Sequence, residues 1–343
     1  MIDYERFMRQ QLKKLNPVQQ VAYSLIKGDA RFISTLIDIS KEPSKADNNY
    51  MMMSQPYIGL FANGAEQWGR KVGLRFVPNF STEENTYYSL LRQGHKLLDK
   101  TYKEYRLQLM DTLKQSDDYF YIRTPLSIAT NVYYNVGTDI CHGEYCGNTI
   151  LCGIYMPFKG FDNSMGPKIR DMSVVAGKLA SFFCLGKPYA YEYDHLCELS
   201  SPDYHFFNNC PLKLNNEVGF VLFSILCSIN YCIVFVEKYI TEEIPQKFKF
   251  CYLMYYYLCD FILDLNKETG LNLFLNSDLK KRELRNCLAH YGLGQYIKNS
   301  DIVQSDVLKG LTIKAFKKDY FEVKEELYKF MNELADQIKR IIF

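Results

Sequence analysis

Apolar residues recur every three or four positions along the carboxyl-terminal end of the chain. Tyr320, Val323, Leu327, Phe330, Leu334, Ile338 and Ile341 fall on one helical face, with Lys and Glu filling the rest. That pattern predicts an amphipathic helix packed on one side only. Upstream, residues 218–236 run for nineteen positions without a charge, and Pro245 opens a second helix that passes Phe250 and reaches about Leu265. A third helical segment, 278–291, carries Lys280, Lys281, Arg282 and Arg285. Gly292 and Gly294 follow it and are suited to end it in left-handed conformations. Four helices so patterned fit a bundle.

The first 211 residues are less regular. Asn16-Pro17 is a cap followed by proline at the first helical position, and 18–26 carries a helical period. Residues 29–37 extend it past Gly28, and 41–50 is polar enough for a loop. Short strand-like runs occupy 72–77 and 119–122. Ser81 with Glu84 has capping-box spacing. A long helix is predicted from there to about Leu113, its buried stripe made by Leu98, Tyr102, Tyr105, Leu109 and Leu113. Residues 137–211, rich in Gly, Pro, Asp and Asn, read as loops and short strands. The expected architecture is mainly α: a helical bundle over 212–343, preceded by a mixed α/β or loop-rich region over 1–211.

The uncharged run 218–236 reaches the length needed to cross a bilayer. It contains Ser224, Ser228 and Asn230, however, and its flanks lack a strong basic asymmetry. The amphipathic helices around it need an apolar partner, so a core helix is expected and no membrane. A length of 343 residues suits two domains. With 48% hydrophobic and 23% charged residues the chain should be folded, not disordered. A net charge of +2 excludes broad electrostatic binding of a long duplex; any nucleic acid must meet a local patch. The aromatic content of 15% is attributed to genome composition rather than to base stacking. The eleven cysteines show no repeating spacing, and Cys227, Cys232, Cys251 and Cys259 lie in apolar helices as small hydrophobes. No secretory signal opens the chain, which together with free thiols points to a reducing cytoplasm.

One motif carries chemistry. Arg285-Asn286 is followed, after three intervening residues, by His290. Cleavage of RNA by its own 2′-hydroxyl needs a group to move protons, a group to stabilise charge on the pentacoordinate transition state, and alignment of the reacting atoms. Histidine titrates near neutrality and suits the first task. Arginine grips two phosphate oxygens at once and suits the second. Asn286 could orient the imidazole or bind a phosphate oxygen. Asn286 and His290, four apart, share a helical face. Arg285 and His290, five apart, point about 140° away from each other on a regular helix. Convergence therefore requires a helix that starts late or ends early, or two copies of the site facing each other.

This segment, set between strongly helical stretches, resembles the Arg-x(4–6)-His motif of the HEPN superfamily, in which the residue after the arginine is commonly Asn. The resemblance spans roughly 212–343. It implies a helical bundle that homodimerises to build a composite, metal-independent ribonuclease site, needing no cofactor. It also implies a toxin or abortive-infection role in anti-phage defence, under a regulatory partner or antitoxin, with the first 211 residues sensing or restraining. Catalysis would fall to Arg285, Asn286 and His290, and Lys280, Lys281 and Arg282 would hold the RNA backbone without sequence preference. The chain departs from the family's His-x-Tyr arrangement: Tyr291 follows His290 directly. Control by modification of that tyrosine is therefore not implied. The alternative is a non-catalytic, dimerising scaffold.

Other constellations carry less. Cys141, His142, Cys146, Cys152, Cys184, His195, Cys197, His205 and Cys210 offer zinc-ligating atoms, but no Cys-x-x-Cys pair occurs among them. They are expected in loops and small core positions, with no metal. The glycines at 147, 153, 160 and 166 form neither a dinucleotide fingerprint nor a P-loop. No nucleophile elbow is present, and Asp194-His195 reads as a polar loop.

Overall fold

The computed structural model of the chain describes residues 4–42, 50–74, 80–93, 99–123, 135–156, 161–162, 164–205, 211–292, 296–303 and 306–343. The fold is mainly α-helical. In chain order the described elements are α1 (Tyr4–Leu12), α2 (Pro17–Ile39), α3 (Tyr50–Met53), α4 (Gln55–Lys71), α5 (Thr82–Leu91), α6 (Tyr102–Arg123), strands β1 (Asn135–Cys141) and β2 (Glu144–Asn148), α7 (Thr149–Tyr155) and α8 (Met165–Cys184). They continue with β3 (Leu199–Ser200), β4 (Asp203–His205), α9 (Glu217–Asn230), α10 (Pro245–Thr269), α11 (Arg282–His290), α12 (Val307–Phe316) and α13 (Tyr320–Ile342).

The amino-terminal region is more helical than its sequence suggests. Asn16 caps α2 with a complete capping box, and the helix crosses Gly28 as expected. The long helix expected over 81–113 is instead two. Ser81 and Glu84 form their capping box at the head of α5, but α5 ends at Leu91. A second reciprocal cap then opens α6, with the Glu104 carboxylate accepting from the Thr101 backbone N–H at 2.9 Å and the Thr101 hydroxyl accepting from Glu104 at 3.3 Å. Two cap signals cannot sit inside one continuous helix, because each satisfies backbone donors that only a helix start leaves free. The expected stripe is otherwise real: Tyr102, Tyr105, Leu109 and Leu113 are all buried, while Leu98 lies outside the described residues. The strand expected at 119–122 is the last turn of α6, since extending a nucleated helix costs little even through aromatic residues. Val72 ends α4 rather than starting a strand, and 75–79 fall outside the described residues, as do 43–49 of the expected polar loop.

The stretch 137–211 holds more regular structure than loops. Its small sheet is centred on β1, which pairs antiparallel with β2, β3 and β4. The twenty-residue α8 was hidden by Gly166-Pro167 and Gly177, yet Met172, Val175, Ala176, Leu179, Ala180 and Phe183 form one buried face. That face packs on α2.

The uncharged run becomes α9 and then widens into a π-helix over Tyr231–Tyr239. Its most apolar window is 94% buried inside the protein. The polar groups within it are spoken for: Asn148 donates to Ser224 at 3.3 Å, Ser228 to the Ser224 carbonyl at 3.0 Å, and Asn230 to the Tyr145 carbonyl at 3.0 Å. This is an interior helix, packed on β2, α6 and α13. Cys227, Cys232, Cys251 and Cys259 are buried thiols, as expected.

Helices on either side of residue 211 share one continuous apolar core that runs from Met8 to Ile342. Among the described residues the carboxyl-terminal stretch contains five α-helices rather than four. The addition, α12, is capped by Asp306, whose carboxylate accepts from the Leu308 and Lys309 backbone N–H groups. In α13 the predicted face is buried from Tyr320 to Ile338, with Ile341 at its edge.

Candidate active site

The motif lies on α11, which is shorter than the predicted 278–291. Residues 276–281 form an irregular lead-in pinned by two tyrosines of α10. The Tyr255 hydroxyl donates to the Asn276 carbonyl at 2.8 Å and accepts from the Leu279 N–H at 3.2 Å. The Tyr252 hydroxyl donates to the Leu279 carbonyl at 2.8 Å and accepts from the Lys281 N–H at 3.0 Å. Backbone held this way cannot also join an i→i+4 ladder, so the helix starts at Arg282.

Its far end is fixed as firmly. Tyr291 takes a left-handed conformation with φ 54°, Gly292 follows at φ 70°, and the Gly292 N–H donates back to the Cys287 carbonyl at 2.8 Å. The Tyr291 ring is buried, and its hydroxyl donates to the Asp29 carboxylate of α2. Lys249 of α10 donates to the same carboxylate oxygen and lies 4.3 Å from the centre of the Tyr291 ring. Gln246 donates to the other oxygen at 3.0 Å. Burial first, and the Asp29 carboxylate second, push the Tyr291 phenol well above its usual pKa range, so it stays a donor. The hydroxyl is enclosed and engaged within the core.

Two glycines allow the close packing. A Cβ at Gly64 of α4 would stand 2.7 Å from the Ala289 carbonyl, and one at Gly28 would stand 2.6 Å from Gln246. α4 and α2 can therefore reach the end of α11 and the buried carboxylate.

Within this frame α11 displays a stripe at i, i+3, i+4 and i+7: Glu283, Asn286, Cys287 and His290. These residues line an open cleft of about 390 Å³, completed by Gln67 of α4, Gly292 and Tyr296. Asn286 is exposed and His290 half-buried. The structure thus brings Asn286 and His290 together as the spacing predicts.

Arg285 is elsewhere. Its guanidinium lies over two rings of α10, 5.1 Å from the centre of Tyr256 and 5.6 Å from that of Tyr257. Its Nε has no hydrogen-bond partner among the described residues. Arg285 and His290 both fall within the regular span of α11, so neither the late start nor the early end turns them toward each other. Of the three routes to convergence, a second copy is the one left.

The basic lead-in divides. Lys280 is half-buried, 2.5 Å from Asp260 and 5.2 Å from the centre of the Tyr256 ring. Lys281 and Arg282 are exposed at the start of α11. Cations at a helix amino terminus oppose its dipole, by about 0.3–1 kcal/mol each. Helix stability is therefore not what favours them there.

Glu283, Gln67 and Tyr296 escaped sequence reasoning. Glu283 was detectable, because it stands seven residues before His290 on the same face. Gln67 and Tyr296 belong to segments with no local signal linking them to the motif.

Among the other residues weighed, the structure gathers Cys141, His142 and Cys197, whose ligating atoms all lie within 4.8 Å of one another. His195 is engaged by Glu42 at 3.3 Å and packs on Tyr193. Cys152 is buried and Cys184 half-buried. Cys210 and the side chain of His205 lie outside the described residues, as does Gly294.

Compared with known protein families, curated proteins and solved structures, the chain matches none.

Proposed function

We propose that the chain is a metal-independent endoribonuclease of HEPN type, acting in the cytoplasm as a toxin or abortive-infection effector. The observation that carries this reading is the cleft on α11, where Asn286 and His290 share one solvent-open face below an exposed basic lead-in. In this reading RNA lies across the start of α11, its phosphates met by Lys281 and Arg282. His290 moves a proton at the 2′-hydroxyl or at the leaving 5′-oxygen. The 2′-oxygen forms a bond to phosphorus, the bond to the 5′-oxygen breaks, and the products are a 2′,3′-cyclic phosphate and a 5′-hydroxyl. Glu283, on the same stripe, lines the same cleft two turns away. Arg285 acts from a second copy of the chain, its guanidinium met by aromatic faces and by no carboxylate among the described residues. A homodimer follows from this division of labour, and a regulatory partner or antitoxin would restrain it.

The test is incubation of the full chain with a mixed-sequence RNA in buffer without added divalent cations. Fragments ending in 2′,3′-cyclic phosphate are expected; intact RNA at micromolar enzyme would contradict the proposal. A second reading, a non-catalytic dimerising scaffold, is favoured by one specific observation, the divergence of Arg285 and His290 within a single chain. It predicts no cleavage, and no toxicity that depends on His290.

A further inference from the structure

Away from α11, the turn between β1 and β2 gathers thiols and an imidazole that the proposed nuclease does not use. Cys141 is the last residue of β1, and its partner across the hairpin is Glu144. The two turn residues, His142 and Gly143, have φ of 49° and 77°. A two-residue hairpin turn with both residues left-handed twists the way the strands do. Histidine is a costly choice for the first position, where Asn, Asp or Gly avoids most of the strain. Cys141 is also opposite Leu199 of β3, which brings the preceding loop against the hairpin. That loop is a tight turn in which the Asp194 carboxylate accepts from the backbone N–H groups of Leu196 at 2.9 Å and Cys197 at 3.1 Å. The Cys197 sulfur donates to the Glu198 carbonyl at 3.7 Å and lies within 4.8 Å of the Cys141 sulfur and of a His142 ring nitrogen.

We propose that Cys141, His142 and Cys197 bind a thiophilic divalent cation of the zinc class, with water in the fourth position. Two thiolates and an imidazole are the ligand set that selects zinc over harder cations. Tetrahedral coordination at zinc places such atoms about 3.5–3.8 Å apart, so the present spread of up to 4.8 Å needs a contraction of about 1 Å. His142 is exposed and Cys197 half-exposed, which leaves room for that adjustment and for the water. Bound metal would clip the hairpin to the loop that pairs with Ile240 just beyond the π-helix. Its ligands come from segments that supply nothing to the α11 cleft.

The experiment uses the full chain, reduced and freed of metal, titrated with Co²⁺ and then with Zn²⁺. One cobalt per chain is expected, with thiolate charge-transfer absorption and the strong visible bands of a tetrahedral site, both lost as zinc displaces it. Zinc should also raise the melting temperature. His142→Ala and Cys197→Ser change surface positions, so their far-ultraviolet circular dichroism should match the metal-free wild type. Each should weaken cobalt binding by at least about tenfold. Absence of the bands in the wild type, their persistence at full affinity in both variants, or a Cys141–Cys197 disulfide in protein isolated without oxidant would overturn the proposal.

Discussion

His290→Ala is expected to lower RNA cleavage by about 10²- to 10⁴-fold, the usual contribution of a positioned acid–base group. Folding should survive, because Tyr291 and Gly292 anchor the end of α11. A thermal melt close to that of wild type would separate lost chemistry from lost structure. Arg285→Ala should have a comparable effect, about 10²- to 10³-fold, if its guanidinium meets the transition-state charge. It also forfeits stacking on Tyr256 and Tyr257, worth about 0.5–1 kcal/mol at a partly exposed site. Arg285→Lys keeps the charge but not the fork, and should recover only part of the loss. The scaffold reading predicts no cleavage by the wild type or by any of these variants. A well-folded His290→Ala protein that cuts RNA at the wild-type rate would therefore end the nuclease mechanism.

The second large effect is on stability. Asp29 and Lys249 are 3% and 1% exposed, and their ion pair joins α2 to α10 deep in the core. Asp29→Ala leaves the Lys249 ammonium without its counter-charge and takes one acceptor from both Gln246 and Tyr291. Breaking a buried pair from one side costs about 3–5 kcal/mol, because the remaining charge is uncompensated. A fall in melting temperature on the order of 5–10 °C is expected. The double variant Asp29→Leu with Lys249→Met removes both charges and should recover much of that stability. The single variant should also loosen the end of α11, since Tyr291 loses the group that seats it. Cleavage should then drop in Asp29→Ala, and it should stay low in the double variant, which regains stability but still lacks the acceptor that seats Tyr291. A melt unchanged in Asp29→Ala would show that the pair does not hold α2 to α10.

Legibility in the sequence followed the range of the signal. The face of α13, the cap at Asn16 and the box at Ser81–Glu84 are local patterns, and each appears where it was read. The cap at Thr101–Glu104 was equally local, but the apolar period running across it suggested a single helix. In α8 the apolar period was present, yet glycine and proline near the start suggested loops; once a helix is under way, Gly177 costs only about 1 kcal/mol against alanine. The site divides along the same line. The shared face of Asn286 and His290, and the divergence of Arg285, follow from helical geometry alone. What places α11 could not be read in this way. Asp29 and Lys249 are 220 residues apart, and neither neighbourhood hints at the other. The gathering of Cys141, His142 and Cys197 likewise depends on β3 lying beside β1, a pairing set by two residues of strand.

The arrangement proposed for the nuclease makes one demand that no single variant tests: the arginine and the histidine of a working site must come from different copies. Purified Arg285→Ala and His290→Ala proteins, each inactive alone, can be mixed, exchanged and assayed on the same RNA. In a two-fold dimer every mixed pair holds one complete site and one empty one, so random exchange should restore about a quarter of wild-type cleavage. A mixture that stays as inactive as its components, with subunit exchange shown by differential labelling, would contradict the composite site.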